Sequence, residues 1–239
     1  MLAGVPQGTA LPHNFRAVVL GSSGALGQAF VQLLTADPRC FSVQGFSRSS
    51  TPALYLEDEQ SIIRCAQDVA SGGAVHLVID ATGALVIDGR DPEKRLEDIS
   101  AEGLMRAMQV NAIGPALLMK HWVPLLVKDQ RCVFASLSAR VGSIEDNHKG
   151  GWYSYRASKA ALNMLIQSTA IEAHRKRPLA VFAALQPGTV QSRLTQDFVD
   201  QASAMAPLDS AARLLQVLEN LPSTGRAHFV DYEGRAIPW

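Results

Sequence analysis

The stretch Arg16-Ala17-Val18-Val19-Leu20-Gly21-Ser22-Ser23-Gly24-Ala25-Leu26-Gly27 indicates the fold of this chain. Its first five residues form an apolar run typical of a buried strand, and a helical pattern follows at 25–35. The glycines between them allow a tight turn and a close approach of the backbone to a ligand. The helix N-terminus adds unpaired N–H groups and a positive dipole end. This order predicts a dinucleotide phosphate site, and the alternative is a plain strand-to-helix turn.

Strand-like runs and helical patterns alternate along the rest of the chain. Because the strands are almost continuously apolar, they predict a single Rossmann-type α/β domain, a doubly wound parallel sheet with helices on both faces. We place this domain at 15–239 and expect 1–14 to be a flexible leader. The further strands are predicted at 40–46, 53–56, 76–79, 132–137, 180–185 and 227–230. The further helices are predicted at 59–70, at 101–127 with an interruption near Gly114-Pro115, at 155–175 and at 210–221.

The composition argues against several classes of protein. The 239 residues include 22 Lys and Arg and 22 Asp and Glu, so no global field favours nucleic acid or an anionic membrane. No apolar run is long enough to span a bilayer, and residues 1–14 have no signal-peptide pattern. The three cysteines and six histidines lack metal-ligand spacing, so we expect no metal site. We expect the cysteines to be reduced thiols and the protein to be cytoplasmic.

The residues after the second strand predict the cofactor. A dinucleotide site usually has a carboxylate here for the ribose hydroxyls, but no Asp or Glu lies between Arg39 and Leu56. The strand leads instead into Ser47-Arg48-Ser49, a cation and two hydroxyls that suit a 2′-phosphate. We therefore expect NADP(H) rather than NAD(H). The alternative is that Arg48 is a solvated surface side chain.

Tyr155 and Lys159 form the candidate catalytic pair. They are four residues apart on a predicted helix and so share one face, and this helix follows the fifth strand, on the cofactor side. A free phenol titrates near pH ~10, so donating a proton near neutrality needs a pKa shift of about 3 units, roughly 4 kcal/mol. One ammonium at ~4 Å, in an effective dielectric of about 20, supplies about that much.

Taken together, these residues resemble the short-chain dehydrogenase/reductase family over nearly all of 16–239. The closer likeness is to the C-factor and sniffer-like carbonyl reductase branch of that family. It is carried by PEKRL at 92–96, LSARVGSI at 137–144, GGWYSYRASK at 150–159 and IPW at 237–239.

The resemblance implies a role for each candidate catalytic residue. Tyr155 would be the general acid/base, and Lys159 would bind the nicotinamide ribose and lower the pKa of Tyr155. Asn111 would hold a water molecule in a proton relay, and Ser138 would hydrogen-bond the substrate oxygen. Trp152 either lines the substrate pocket or wedges its loop against the helix.

The resemblance also implies where cofactor and substrate lie. The loop at 187–192 would contact the nicotinamide amide, and the segment at 191–207, with Phe198 and Met205, would cover an apolar substrate pocket. Besides Lys159, the expected cofactor contacts are Gly21, Ser23, Gly24, Ala25, Leu26, Gly27, Ser47, Arg48, Tyr55, Leu56, Ala81, Thr82, Gly83, Pro187, Gly188, Val190 and Ser192.

Four departures from the family pattern are visible. Ala25 stands at the position of the family's middle glycine, and Gly24 precedes it. Tyr55 stands at the position where the family has an Asp that contacts the adenine. Asp80-Ala81-Thr82-Gly83 replaces Asn-Asn-Ala-Gly, so the side-chain support of the central strands must differ. Ala139 stands where many relatives have a second serine, so Ser138 must reach the substrate from one position earlier.

These features predict an NADPH-dependent oxidoreductase that reduces a small carbonyl compound. The apolar and small residues of the two long helices predict a homodimer or homotetramer, because one sheet cannot cover so much apolar circumference. The alternative is a nucleotide-binding sensor or signalling protein of the same fold with little turnover.

Overall fold

The computed structural model of the chain describes residues 10–192 and 202–239. Its centre is one sheet of six strands in the order β2-β1-β3-β4-β5-β6, and every neighbouring pair is parallel. The strands are β1 Phe15–Leu20, β2 Cys40–Phe46, β3 Leu77–Asp80, β4 Cys132–Leu137, β5 Ala180–Gln186 and β6 Ala227–Asp231. The α-helices are α1 Ala25–Ala36, α2 Glu59–Ala70, α3 Ala101–Met108, α4 Gly114–Trp122, α5 Tyr153–His174 and α6 Pro207–Asn220. None of the described helices is long and apolar enough to cross a membrane.

Two apolar layers cover the two faces of the sheet. Adjacent strand residues point to opposite faces, so Val18 packs in one layer and Val19 in the other. The first layer contains side chains of α2, α4 and α5, including Trp122, and the second contains side chains of α1 and α6, including Phe30. The predicted doubly wound fold with helices on both faces is thereby confirmed.

The short strand predicted at 53–56 is wrong. The N–H of Leu54 donates to the carbonyl of Ser47 at 2.9 Å, and the N–H of Tyr55 donates to the hydroxyl of Ser61 at 2.9 Å. These donors therefore close a local turn after β2 instead of pairing with another strand. As a result β2 is an edge strand of the sheet.

The long helix predicted at 101–127 is interrupted, as expected, between α3 and α4. A π-helical turn spans Gln109–Ile113, and the N–H of Gly114 reaches back to the carbonyl of Gln109. Pro115 has no N–H to donate to the carbonyl of Asn111, so a regular α-helix cannot continue here. The irregular turn coincides with Asn111, and such turns are frequent at functional sites.

The end of the predicted leader packs on the domain. Residues 1–9 lie outside the described part of the chain, whereas Leu11 is buried against the layer formed by α1 and α6. The N–H of Leu11 donates to Oε2 of Glu219 at 3.1 Å.

Candidate active site

The glycine-rich turn connects β1 to α1 in close contact with two other strands. The N–H groups of Gly21 and Ser22 both donate to the carbonyl of Phe46, at 2.8 and 3.0 Å, so the turn is fixed to the end of β2. Gly21 has a φ of 83°, and a Cβ there would lie 2.8 Å from the carbonyl oxygen of Ala81, which follows β3. Glycine is therefore required at this position.

The start of α1 fits a pyrophosphate. Gly24 is the N-cap without a side-chain cap, and the first helical turn, with Ala25 and Leu26, carries no acidic residue. A Cβ at Gly24 would find a single heavy atom within 4 Å, the carbonyl oxygen of Gly21 at 3.5 Å, so the turn is open here. A Cβ at Gly27, in contrast, would collide with the backbone of Gly21. The backbone is thus exposed where phosphate oxygens would approach.

The residues predicted to select the cofactor form a tight polar turn after β2. Ser47 is buried, its hydroxyl lies 3.0 Å from that of Ser49, and the N–H of Ser47 donates to Ser50 Oγ at 2.9 Å. Arg48 is exposed beside them, and no carboxylate of the described residues forms an ion pair with it. The turn therefore presents the exposed guanidinium of Arg48 at the end of β2.

Tyr55, the predicted adenine contact, and Leu56, its neighbour among the predicted cofactor contacts, differ in exposure. The side chain of Tyr55 is 45% exposed, as a stacking residue would be. Leu56 packs against the core instead, and a Cβ at Gly114 would lie 2.8 Å from its Cβ.

Asn111 is held by the loop that follows β3. Its Oδ1 accepts the N–H of Ala84 at 2.8 Å, and its Nδ2 donates to the carbonyl of Ala84 at 2.9 Å. A Cβ at Gly83 would lie 3.0 Å from Asn111 Oδ1 and 3.2 Å from Lys159 Nζ. Glycine at position 83 therefore allows Asn111 and Lys159 to come together beside this loop.

Asp80 provides the side-chain support of the central strands that was expected to differ at 80–83. The sequence did not identify Asp80 itself as a site residue. The carboxylate is fully buried; its Oδ1 accepts the N–H of Thr82 at 3.0 Å and the hydroxyl of Thr82 at 2.5 Å. Its Oδ2 accepts the hydroxyl of Ser136. Asp80 thus links the ends of β3 and β4, and its charge acts on Lys159 of the candidate catalytic pair.

Tyr155 and Lys159 lie on one face of α5, as their spacing predicts. The buried Nζ of Lys159 lies 5.9 Å from the centroid of the partly buried Tyr155 ring and donates to the carbonyl of Leu137 at 2.8 Å. Burial lowers the pKa of Lys159 to about 8, while the charge of Asp80 acts in the opposite direction.

The pKa of Tyr155 is shifted in the direction opposite to the expected one. Burial raises it to about 12, whereas the sequence argument has Lys159 lower it. The ammonium is turned towards Leu137, and the removal of the phenol from water dominates.

Ser138 faces α5 in this structure. Its buried hydroxyl donates to Oδ1 of Asn163 at 2.6 Å, and Nδ2 of Asn163 donates to the carbonyl of Gly142 at 3.4 Å. The single proton of Ser138 is therefore directed into the protein, so its predicted bond to a substrate oxygen requires an exchange of partners.

A cavity of about 520 Å³ lies in front of Tyr155, between the loop after β3 and helix α3. Asn111 and Ser154 also line it, but the loop contributes charged side chains, among them Arg90 and Lys94. This wall therefore carries charged groups beside apolar side chains such as Leu85 and Ile87. Phe198, which the sequence places in the apolar cover at 191–207, lies outside the described residues.

The loop expected to contact the nicotinamide is held at both ends. The carbonyl of Pro187 accepts the hydroxyl of Ser210 at 2.7 Å. Gly188 has a φ of 80°, and a Cβ there would lie 2.8 Å from the ring of Tyr232. Val190 is buried and pairs with Met205, while Ser192 is the last residue described before the gap.

Comparison with known proteins identifies the family. The family model for short chain dehydrogenases matches residues 16–203. The C-signal protein of Myxococcus xanthus is 33% identical over 144 residues, which cover 60% of this chain and 83% of that protein.

Two carbonyl reductases share the fold. The NADPH-bound carbonyl reductase from chicken fatty liver superposes with a TM-score of 0.83 at 23% identity, over 100% of both chains. The Sniffer carbonyl reductase of D. melanogaster gives a TM-score of 0.81 at 20% identity, over 95% of this chain and 100% of that one. The resemblance to the short-chain dehydrogenase/reductase family inferred from the sequence is confirmed, and the chain belongs to the short-chain dehydrogenase family of oxidoreductases, with C-signal among its relatives and carbonyl reductases among the structures that share its fold.

Proposed function

We propose that this protein is an NADPH-dependent reductase of a small carbonyl compound, with Tyr155 as the proton donor. The observation that carries the proposal is the grouping of Asn111, Tyr155 and Lys159 at the carboxyl edge of the sheet, beside a cavity. Parallel α/β sheets bind their ligands at this edge. The NADPH-bound carbonyl reductase with the same fold supports the assignment.

NADPH would supply the hydride when bound, and the proposal assigns each of its parts to residues of this chain. The open turn at Gly24 and the start of α1 would hold the pyrophosphate, and Arg48 would pair with the 2′-phosphate. Tyr55 would stack on the adenine. Lys159 would bind the nicotinamide ribose, and the loop at 187–192 would bind the amide.

The proton step uses the chain's own residues. Tyr155 is protonated at neutral pH because burial raises its pKa to about 12, so its hydroxyl is available to donate to the substrate oxygen. Charge that develops on Tyr155 is stabilised by the ammonium of Lys159, whose pKa of about 8 leaves it mostly protonated near pH 7. Asn111 would hold the water that returns a proton. Ser138 would turn from Asn163 to orient the carbonyl.

We also propose that the protein is a homodimer or homotetramer. Met105, Ile113, Met164 and Ile171, on α3, the π turn and α5, are between 45% and 65% exposed. Together they leave apolar surface on the two long helices that a second copy would cover.

The test is NADPH oxidation by the purified protein with a panel of aldehydes, ketones and diketones. We expect turnover with at least one carbonyl class, and less turnover when NADH replaces NADPH. Tight NADPH binding without turnover of any member would favour the nucleotide-binding sensor instead.

A further inference from the structure

Helix α5, which carries Tyr155 and Lys159, begins without a local cap. Its N-cap residue is Trp152, which has a φ of 53° and makes no capping hydrogen bond through its side chain. The preceding Gly150 and Gly151 also have positive φ, 63° and 65°. A left-handed tryptophan is uncommon and costs free energy, so contacts from elsewhere must hold this turn.

Glu93, 61 residues before Ser154, supplies those contacts. Its Oε2 accepts the N–H of Ser154 at 3.0 Å, and its Oε1 accepts the hydroxyl of Ser154. Its backbone carbonyl accepts the N–H of Trp152 at 2.5 Å. Three hydrogen bonds thus join Glu93, on the loop after β3 that lines the cavity, to the start of α5.

The packing around Glu93 leaves it little freedom. A Cβ at Gly103 on α3 would lie 3.5 Å from Oε1 of Glu93 and 3.9 Å from the hydroxyl of Ser154. A Cβ at Gly151 would lie 3.6 Å from the carbonyl oxygen of Lys94 and 3.8 Å from that of Glu93. The loop backbone therefore lies directly against the left-handed turn, and α3 closes over the carboxylate.

The charge of Glu93 suits this place. A helix N-terminus has unpaired N–H groups and a partial positive charge, so a carboxylate that accepts the second helical N–H acts as a cap. Burial raises the pKa of Glu93, but its hydrogen bonds, two with Ser154 and one with its own backbone, together lower it by more, which keeps the group ionised near neutral pH. The cap comes from a distant loop because α5 lacks one of its own.

We propose that Glu93 is a positioning residue for Tyr155: it holds the backbone of Trp152 and Ser154 and so sets the direction in which α5 presents the phenol. The ring of Trp152 meets the Tyr155 ring edge-on, with centroids 6.1 Å apart, so movement of the turn would displace both. The inference rests on the proposed reductase function.

The experiment compares Glu93→Ala with Glu97→Ala, a matched control on the same loop whose exposed carboxylate pairs with Arg95. A displacement of about an ångström at a reacting group costs up to ~10²-fold in rate, so we expect kcat for Glu93→Ala to fall about tenfold to a hundredfold. The Kd for NADPH should stay within about twofold. Glu97→Ala should match the wild type.

Two milder variants give the same test if Glu93→Ala does not fold. Glu93→Gln can still accept the N–H of Ser154 and donate to its hydroxyl, so it should recover most of kcat. Ser154→Ala loses the hydroxyl bond and keeps the N–H bond, so its kcat should fall by less than that of Glu93→Ala. Equal kcat in Glu93→Ala and Glu97→Ala, or an unchanged kcat in Ser154→Ala when Glu93→Ala does not fold, would overturn the proposal.

Hydrogen exchange separates failure of this inference from failure of the proposed function. Faster exchange confined to the backbone at 152–158 in the Glu93 variant, but not in Glu97→Ala, supports the positioning even if the wild type oxidises no NADPH. In that case the reductase assignment alone fails. Equal exchange at 152–158 in the two variants overturns the positioning whatever the turnover.

Discussion

The hydroxyl of Ser138 donates a hydrogen bond to Oδ1 of Asn163, 2.6 Å away on α5, and both residues are buried. A hydroxyl has one proton, so Ser138 can polarise a substrate carbonyl only by giving up this bond. Ala139 stands where a second serine is common in the family, so it supplies no replacement donor.

Ser138→Ala therefore tests whether the exchange of partners occurs. A donor fixed in place for the transition state is worth about 10²–10³-fold in kcat. Because Ser138 must first leave Asn163, we expect a smaller loss, about tenfold in kcat/KM. An unchanged kcat/KM in a folded variant would show that Ser138 only links β4 to α5.

The pKa of Lys159 predicts the alkaline limit of carbonyl reduction. Burial lowers this pKa to about 8, so the ammonium is lost as the pH rises through that value, while Tyr155 stays protonated until about 12. The kcat for reduction should be level up to about pH 7, fall to about half near pH 8 and continue to fall above it. The measurement is kcat against pH with a carbonyl substrate that does not titrate, and a profile level to pH 10 would contradict it.

Asp80→Asn tests the origin of that limit. The charge of Asp80 raises the pKa of Lys159 against the effect of burial, so its removal should move the alkaline limb to lower pH. Asparagine keeps an oxygen for the N–H of Thr82, which preserves the local geometry. If the alkaline limb of the kcat–pH profile lies at the same pH in Asp80→Asn as in the wild type, Asp80 is only a link between strands.

Arg48 should account for the preference for NADPH. A charge-assisted hydrogen bond contributes about 1.5–3 kcal/mol, so Arg48→Ala should weaken NADPH binding roughly tenfold to a hundredfold. Binding of NADH, which lacks the phosphate, should barely change, and the wild-type preference should shrink as salt is added. Titration of both cofactors checks this, with Arg175→Ala, an exposed arginine at the end of α5, as the control. A preference that survives Arg48→Ala would transfer the role to Ser47 or Ser49.

The oligomeric state tests the interpretation of the exposed apolar side chains. Light scattering at micromolar concentration should give the mass of a dimer or tetramer. Met164, 65% exposed on α5, is the position at which a charge should disrupt the contact, so Met164→Glu should shift the mass towards the monomer. A monomeric wild type would remove this proposal.

Local sequence patterns were sufficient for most of the fold. Apolar runs and glycine-rich turns reflect backbone geometry, so the six observed strands, the glycine-rich turn after β1 and the shared face of Tyr155 and Lys159 follow from neighbouring residues. The strand predicted at 53–56 failed because the N–H groups of Leu54 and Tyr55 bond within a local turn, which an apolar run does not reveal.

The rest of the site depends on contacts between distant residues. Glu93 meets Ser154 and Asp80 meets Ser136 only after the sheet has formed, so spacing along the chain carries no signal for either pair. The pKa of Tyr155 depends on burial and on the direction of the Lys159 ammonium. The interval of four residues predicts neither quantity.

Tyr155→Phe tests the account most directly, because it removes the hydroxyl and keeps the ring that packs beside Trp152. The comparison is kcat for NADPH-dependent carbonyl reduction in the variant and the wild type, with Kd for NADPH measured in parallel. A lost general acid usually costs at least ~10²-fold, so we predict a loss of that size in kcat with an almost unchanged Kd. A kcat comparable to that of the wild type would show that the proton comes from another group and would contradict the account.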